Sequence, residues 1–409
     1  MCWPSQSDFA TLQTRLSQLL IAPTPLAAAC YPPALPTGNC TDVQHNWFNS
    51  LWRADHPGQM QAPNWEAYIS PNGTVLDVCP MNATLEVNCS QGNVPVLGVD
   101  ARTPKDIQAA VKFAVKHNLR VVIKNTGRTP VAVLTVGAGV QWFEAYDAVY
   151  AHGRDIVGGV TSMGSVGSVG GWIGGGGHSI LAPKYGLGVD NAVQFTIVTS
   201  TGEHLTANAH HNSDLYWALR GLGGGSGTYG VVTSVSYQTH PAKPLVGGPF
   251  TAVVISTTNS TADKLIEGNY QRVADTSLTQ VTNASYYLVA GGAVAKADPD
   301  SAGINPARHK ALVHTVAGHG WANDASLENI ISAKEKVKGF TRSLERLSPA
   351  SGAYFNEASL YYADPKQTFF GPHYEKLLAI KKKYDPHDLF VVTQGVGSDE
   401  CDPSLTCRV

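Results

Sequence analysis

Nineteen of the chain's 41 glycines fall between Gly158 and Gly230. Glycine loses more freedom on folding than any other residue. A run of it is kept where the backbone takes positive φ or passes within contact distance of something bulky. The blocks are Gly158-Gly159, then GSVGSVGG over 164–171, then Gly174 to Gly177 followed by His178. A flexible linker is also glycine-rich, but linkers do not interleave Val166, Val169, Trp172 and Ile173 at regular spacing or run on into HSILAPKYGLGVDN. The tract reads as backbone wrapped around a ligand. Its peptide N–H groups can hold a pyrophosphate without basic side chains. That suits a chain with 29 Lys and Arg against 31 Asp and Glu, which carries no basic field to collect nucleic acid or anionic lipid. No stretch approaches the roughly 18 apolar residues that span a bilayer, so neither partner is expected.

Gly225-Ser226-Gly227-Thr228-Tyr229-Gly230 matches G-x-G-x-x-G in letters. A dinucleotide loop of that kind follows a strand and opens a helix. This one follows a predicted helix, Asp214 to Arg220, and opens a predicted strand, Tyr229 to Tyr237. P-loop, nucleophile-elbow and zincin patterns are absent, which leaves a nucleotide cofactor held outside the Rossmann arrangement.

Four segments follow from the pattern. Residues 1–93 form a loop-rich brace, 94–242 a cofactor domain, 243–350 a smaller and shortened α+β substrate domain, and 351–409 a tail that returns to the cofactor domain. In the brace, Leu16 to Ala29 is apolar enough to suggest a leader. Asp8, Pro23 and Pro25 favour an amphipathic helix carrying Phe9, Leu12, Leu16, Leu19 and Leu20, so no signal peptide is evident. Cys30 and Cys40, and Cys79 and Cys89, are spaced for two small disulfide loops. No C-x-x-C pair supports zinc, so no metal is expected. Six N-x-[ST] sequons begin at Asn39, Asn72, Asn82, Asn88, Asn259 and Asn283. Cysteines and sequons together predict a secreted glycoprotein. Further on, Val94 to Val99, a Thr103-capped helix and Leu119 to Ile123 read as β-α-β. Strands at Leu134 to Val136 and Asp155 to Val157, a helix from Val140 to Ala151 and a hairpin from Phe195 to Thr206 follow. Strands are also expected at 252–256, 285–289 and 311–316, and helices at 262–273, 326–344 and 374–383.

At this point the residues carry a resemblance. VVIKNTG (Val121 to Gly127), GWIGGGGHSILAPKYGLGVDN (Gly171 to Asn191), the block from Asp214 to Pro241, YFNEA (Tyr354 to Ala358), KKYDPHDLFVVTQGVGS (Lys382 to Ser398) and CWPS at the N-terminus occur in order over most of the chain. Together they resemble the berberine-bridge-enzyme-like FAD-linked oxidases of the vanillyl-alcohol-oxidase superfamily. The resemblance implies an α+β fold, with a two-part FAD domain of the p-cresol-methylhydroxylase type and a second domain over the flavin. It also implies hydride abstraction from a C–H beside oxygen or nitrogen of a small molecule, with electrons usually returned to O2. Lys124, Asn125, Thr126 and Gly127 would meet the pyrophosphate. Gly158, Gly159, Val166, Gly167, Gly170 and Gly171 would line the flavin. Gly175, Gly176, Gly177, His178, Gly186, Leu187 and Asp190 would continue the wrap, and Thr228, Gly230 and Val231 would close the adenine side. Hydride removal from an alcohol also needs a proton acceptor. Tyr354 is the candidate base, Asn356 a flavin-side hydrogen-bond partner and Glu357 the reserve base.

The chain departs from that family at identifiable places. The family's KNTGH supplies a histidine bonded covalently to the flavin; here Gly127 is followed by Arg128-Thr129-Pro130, and no cysteine lies between Gly159 and Gly171 for a second link. Non-covalent FAD is therefore expected. Residues 249–350 look short, and Cys401 stands where tryptophan is common. The different-class alternative is a catalytically degenerate secreted homologue that keeps the fold and binds a ligand in the old cleft.

Overall fold

The computed structural model describes residues 3–31, 40–60, 62–70, 76–81, 88–123, 133–159, 166–221, 227–243, 283–288, 291–311, 313–321, 325–359 and 362–401. The strands and helices expected at 252–256 and 262–273 lie outside these residues.

Thr103 starts the helix Pro104–His117 for a local reason. Its hydroxyl accepts from the Asp106 N–H while the Asp106 carboxylate accepts back from the Thr103 N–H, a reciprocal cap with proline in the first turn. Asn118, at φ 49°, ends it. The next stretch, Leu119 to Ile123, was expected as a strand and is not one. Among the described residues no neighbour supplies a ladder, yet Val121 and Ile123 still pack against Val111, Val198, Val231 and Phe390. Of Val94 to Val99 only Gly98–Val99 is strand, paired with Leu20–Ile21. The N-terminal helix is likewise shorter than its apolar spacing suggests, spanning Gln6–Gln13. Gln13 turns the chain there, its side-chain amide bonding the Gln18 carbonyl and the Leu20 N–H, and Leu19 is left exposed.

The main sheet is antiparallel, in the order Val133–Gly137, Gly230–Pro241, Ala192–Thr199, His204–Asn208, with Arg154–Ile156 paired to the far end of the long strand. The hairpin and long strand match the sequence reading, each extended by a few residues. Inward residues such as Leu134, Val136, Phe195, Ile197, Val235 and Tyr237 are buried, as period-2 alternation with one covered face requires. Trp142–Tyr150 and Ser213–Leu219 pack beside the sheet. The cluster continues into Val294, Ala302 and Ile304 and into Phe370, Leu377 and Val396 of the tail, so three distant stretches share one apolar core. This is an α+β architecture.

The tail helix Tyr374–Tyr384 is locked to the sheet by Lys381, which is fully buried. Its ammonium donates to Asp385 (2.6 Å), the Phe390 carbonyl (2.8 Å) and the Thr228 carbonyl (3.1 Å). Asp385 in turn accepts from the Leu389 and Phe390 N–H groups. The clamp also fixes the chain just beyond the helix. At Leu389 and Phe390, side chains take the backbone bonds.

In the brace, Cys30–Cys40 and Cys79–Cys89 are disulfide-bonded, as the spacing predicts. Between the main sheet and the tail, Asn283–Leu288 and Val313–Gly318 form an antiparallel pair and Leu327–Leu347 a helix of 21 residues. Among the described residues, no helix is long and apolar enough to cross a membrane.

Candidate active site

The glycine tract lies on an aromatic shelf. Trp142 meets Trp172 edge-on at 4.6 Å between ring centroids and Tyr237 at 5.6 Å. A Cβ on Gly158 would stand 2.4 Å from Trp142, and one on Gly159 2.9 Å from Trp172, while the Tyr146 hydroxyl donates to the Gly159 carbonyl at 2.7 Å. These two glycines allow backbone to lie flat on aromatic rings. Val166 and Ser168 are stitched to Trp142 and Val140 through backbone bonds, and Gly167 bridges to Gln141. Gly170 precedes the short helix Gly171–Gly174.

Onto that helix the tail motif docks from about 180 positions away. The Asn356 amide donates to the Gly171 carbonyl at 2.5 Å, and the Tyr354 hydroxyl to the Trp172 carbonyl at 3.2 Å. A Cβ on Gly171 would lie 2.8 Å from Asn356, and one on Gly175 2.5 Å from the Tyr354 ring. YFNEA and the glycine tract are thus one site. Glu357 completes it, accepting from His178 Nε2 through Oε1 and from His314 Nε2 through Oε2, both at 3.2 Å. Behind His314 stands Arg308, whose Nη1 donates to His314 Nδ1 at 3.2 Å and whose guanidinium lies 5.1 Å from the Tyr354 ring centroid.

The electrostatics follow from this order. Burial opposes ionisation of Glu357, but the bonds from His178 and His314 outweigh it and hold the carboxyl well below the usual range. Burial pushes the Tyr354 phenol far above its ordinary value, with lesser opposing contributions from Asn356 and Arg308. Burial also lowers His314. Arginine can only donate, so Nδ1 of His314 is an acceptor and Nε2 carries the proton given to Glu357. His178, His314 and Glu357 place three possible ligand atoms within 4.8 Å of one another. A cation there would have to displace the His314 Nε2 proton beside a guanidinium, which disfavours it.

Other residues expected at the cofactor have mixed placements. Lys124, Asn125, Thr126 and Gly127 lie outside the described residues. Gly177 (φ 69°) packs on Trp172 and accepts from the Gly188 N–H, and Gly186 takes φ 90°. Asp190 uses one oxygen on the Leu187 N–H and the other on His309, so it holds the turn. Gly230 must be glycine, since a Cβ would fall 2.3 Å from the Val198 carbonyl oxygen, and Val231 is core. Thr228 fits a cofactor well: it is buried and, among the described residues, its hydroxyl has no partner. A ribose or phosphate oxygen would satisfy it.

Sequence reading missed Arg308 and His314. Asn305 positions this arginine by bonding the Gln367 and Thr368 carbonyls and the Ala307 N–H at the start of Ala307–Lys310. INPARHKALVH carries no motif, and nothing local announces its role.

Fold and site together define an FAD-binding oxidoreductase. Comparison with known proteins agrees. The FAD binding domain family matches residues 129–208, and the berberine and berberine-like family matches residues 353–397. An FAD-linked oxidoreductase of Arthroderma benhamiae is 29% identical over 563 positions, covering 100% of this chain and 94% of its own length. A VAO-type flavoprotein oxidase of Thermothelomyces thermophilus is 28% identical, covering 100% and 93%. Since the chain has 409 residues, the first alignment leaves many positions of the relative without a counterpart here. The crystal structure of a VAO-type flavoprotein from Myceliophthora thermophila superposes with a TM-score of 0.74 at 24% identity, covering 98% of this chain and 96% of that one, a likeness of fold. The chain is thus similar to berberine and berberine-like FAD-linked oxidoreductases and to VAO-type flavoproteins, and its cofactor is FAD.

Proposed function

We infer that the chain oxidises a small alcohol, sugar or secondary metabolite by taking hydride from a C–H beside oxygen or nitrogen, with O2 as electron acceptor. We assign residues 94–242 with 351–409 to the FAD domain and 243–350 to the substrate side. The flavin is held without a covalent bond, because Arg128 stands at the family's histidine position. Paired cysteines and sequons support secretion and glycosylation. Bound FAD supplies the hydride acceptor; the protein supplies the proton chemistry and the walls.

One observation carries the reading: YFNEA packs directly on Gly171 to Gly175, with Glu357 joined to two histidines. A base must be unprotonated. Tyr354, named first as base on sequence grounds, has its phenol donated to Trp172 and its pKa raised by burial, so it orients and excludes water. Glu357 stays ionised but is too weak a base to take the proton itself; it holds His178 through the Nε2–H, and His178 is the proton acceptor of the pair. Asn356 fixes the tail motif on the flavin side of the glycine helix. In anaerobic stopped-flow, Glu357→Gln should slow flavin reduction by about 10²- to 10⁴-fold while flavin content is retained. An unchanged rate moves the base elsewhere. Flavin bound without turnover on any alcohol or sugar supports the degenerate homologue. Acid precipitation should release the flavin to the supernatant, and fluorescence on the denatured polypeptide refutes non-covalent binding.

A further inference from the structure

Arg308 is 8% exposed, and of its nitrogens only Nη1 is used, on His314. Nε and Nη2 are buried and, among the described residues, have no hydrogen-bond partner. These two nitrogens lie on one edge of the guanidinium with their N–H bonds parallel, the fork that receives both oxygens of a carboxylate. Among the described residues no carboxylate comes within ion-pair distance of Arg308, and both Glu357 oxygens are taken by histidines. A cation buried with its best edge empty is strongly unfavourable unless a partner arrives.

The glycine tract passes beside this edge. Along the tract, a Cβ on Gly175 would strike Tyr354 at 2.5 Å and one on Gly177 would strike Trp172 at 2.8 Å. Gly176, at φ 110°, differs: a Cβ there would meet Ile304 at 3.5 Å and Arg308 Nε at 3.8 Å, both ordinary contacts. The Gly176 backbone therefore does not crowd the Nε edge, and the fork geometry of that edge matches a planar two-oxygen group.

We propose that the Nε/Nη2 edge of Arg308 is a carboxylate subsite, so that the molecule oxidised beside Glu357 carries a carboxylate. This rests on the oxidase reading of the same site and names its substrate class. Charge order supports it: the anion binds at the buried end, and the proton leaves at the exposed end through His178 and Glu357, kept apart by His314.

The test uses the FAD-loaded protein with benzoate and its neutral counterpart benzamide, read by flavin difference absorbance and by thermal melting. Wild type should bind benzoate at least about 10-fold more tightly than benzamide. Arg308→Met should weaken benzoate about 10- to 100-fold, leaving benzamide within about 3-fold, and Arg308→Lys should fall between because it keeps charge without the fork. Equal affinities on wild type overturn the proposal, as does a benzoate preference that survives Arg308→Met. A lowered flavin midpoint potential in Arg308→Met with benzoate preference intact also overturns it, assigning the edge to the cofactor. If the variants do not fold, the wild-type comparison decides. Protein that purifies without flavin absorbance fails the oxidase reading, whereas a benzoate-induced melting shift on it still reports the subsite.

Discussion

The brace and the flavin half are held together by different means. In the brace the buried apolar cluster is Ala27, Val43, Trp47 and Cys79, with two disulfides beside it. In the flavin half one large cluster joins the sheet, the Val294 to Ile304 stretch and the tail, and its glycines lie against aromatic rings. Each region also contains a buried ion pair, Arg53 with Glu66 in the brace and Lys381 with Asp385 in the tail. The difference follows from how much apolar surface each stretch can hide. Where little can be buried, covalent links restrict the unfolded chain instead. Where much can be buried, polar groups are left to specify how the pieces meet.

The largest effect should come from the tail clamp. Lys381→Met leaves Asp385 buried and uncompensated and frees the Phe390 and Thr228 carbonyls, so urea unfolding should show a loss of about 3–5 kcal/mol. Lys381→Met with Asp385→Leu should recover most of it. If the single variant is nearly neutral, the clamp does not join tail to sheet and the contrast with the brace collapses.

Next is the brace itself. Removing Cys79–Cys89 or Cys30–Cys40 by paired alanines should cost about 2–3 kcal/mol each, as closing a short loop allows. The loss should be local: limited proteolysis in the first hundred residues should rise while flavin absorbance is kept. Simultaneous loss of flavin would show that the two regions do not stand apart.

The smallest effect is expected where the regions meet. Asp106 is buried, caps Pro104–His117 and accepts from the Ser17 N–H and hydroxyl of the brace. Burial resists its ionisation, but bonds from Ser17 and Thr103 lower its pKa to about 2. A pKa lowered by folding adds stability that is complete above the unfolded value near 3.9 and fades as pH falls toward 2. Asp106→Asn should therefore cost about 1–2 kcal/mol at pH 7, shrinking toward zero between pH 4 and pH 2. A difference that is constant with pH would remove the carboxylate from the account.

Much of this was readable from sequence because it depends on neighbours in the chain. Thr103-Pro104 starts a helix, the Thr201-Gly202 turn makes a hairpin, and cysteines ten apart pair. The strand expected at Leu119 to Ile123 failed because a strand needs a partner, and an apolar run does not reveal one.

The glycine tract and YFNEA were each recognisable alone, and their meeting at Gly171 and Gly175 agrees with what both imply. Only the tertiary structure decided how the groups at that meeting ionise and pair. It buried the Tyr354 phenol, left Glu357 ionised between His178 and His314, and set Arg308 behind them with one edge empty. Protonation and pairing depend on burial and on side chains from remote segments. A one-dimensional pattern records residue types and spacing, whereas those energies depend on distances in space.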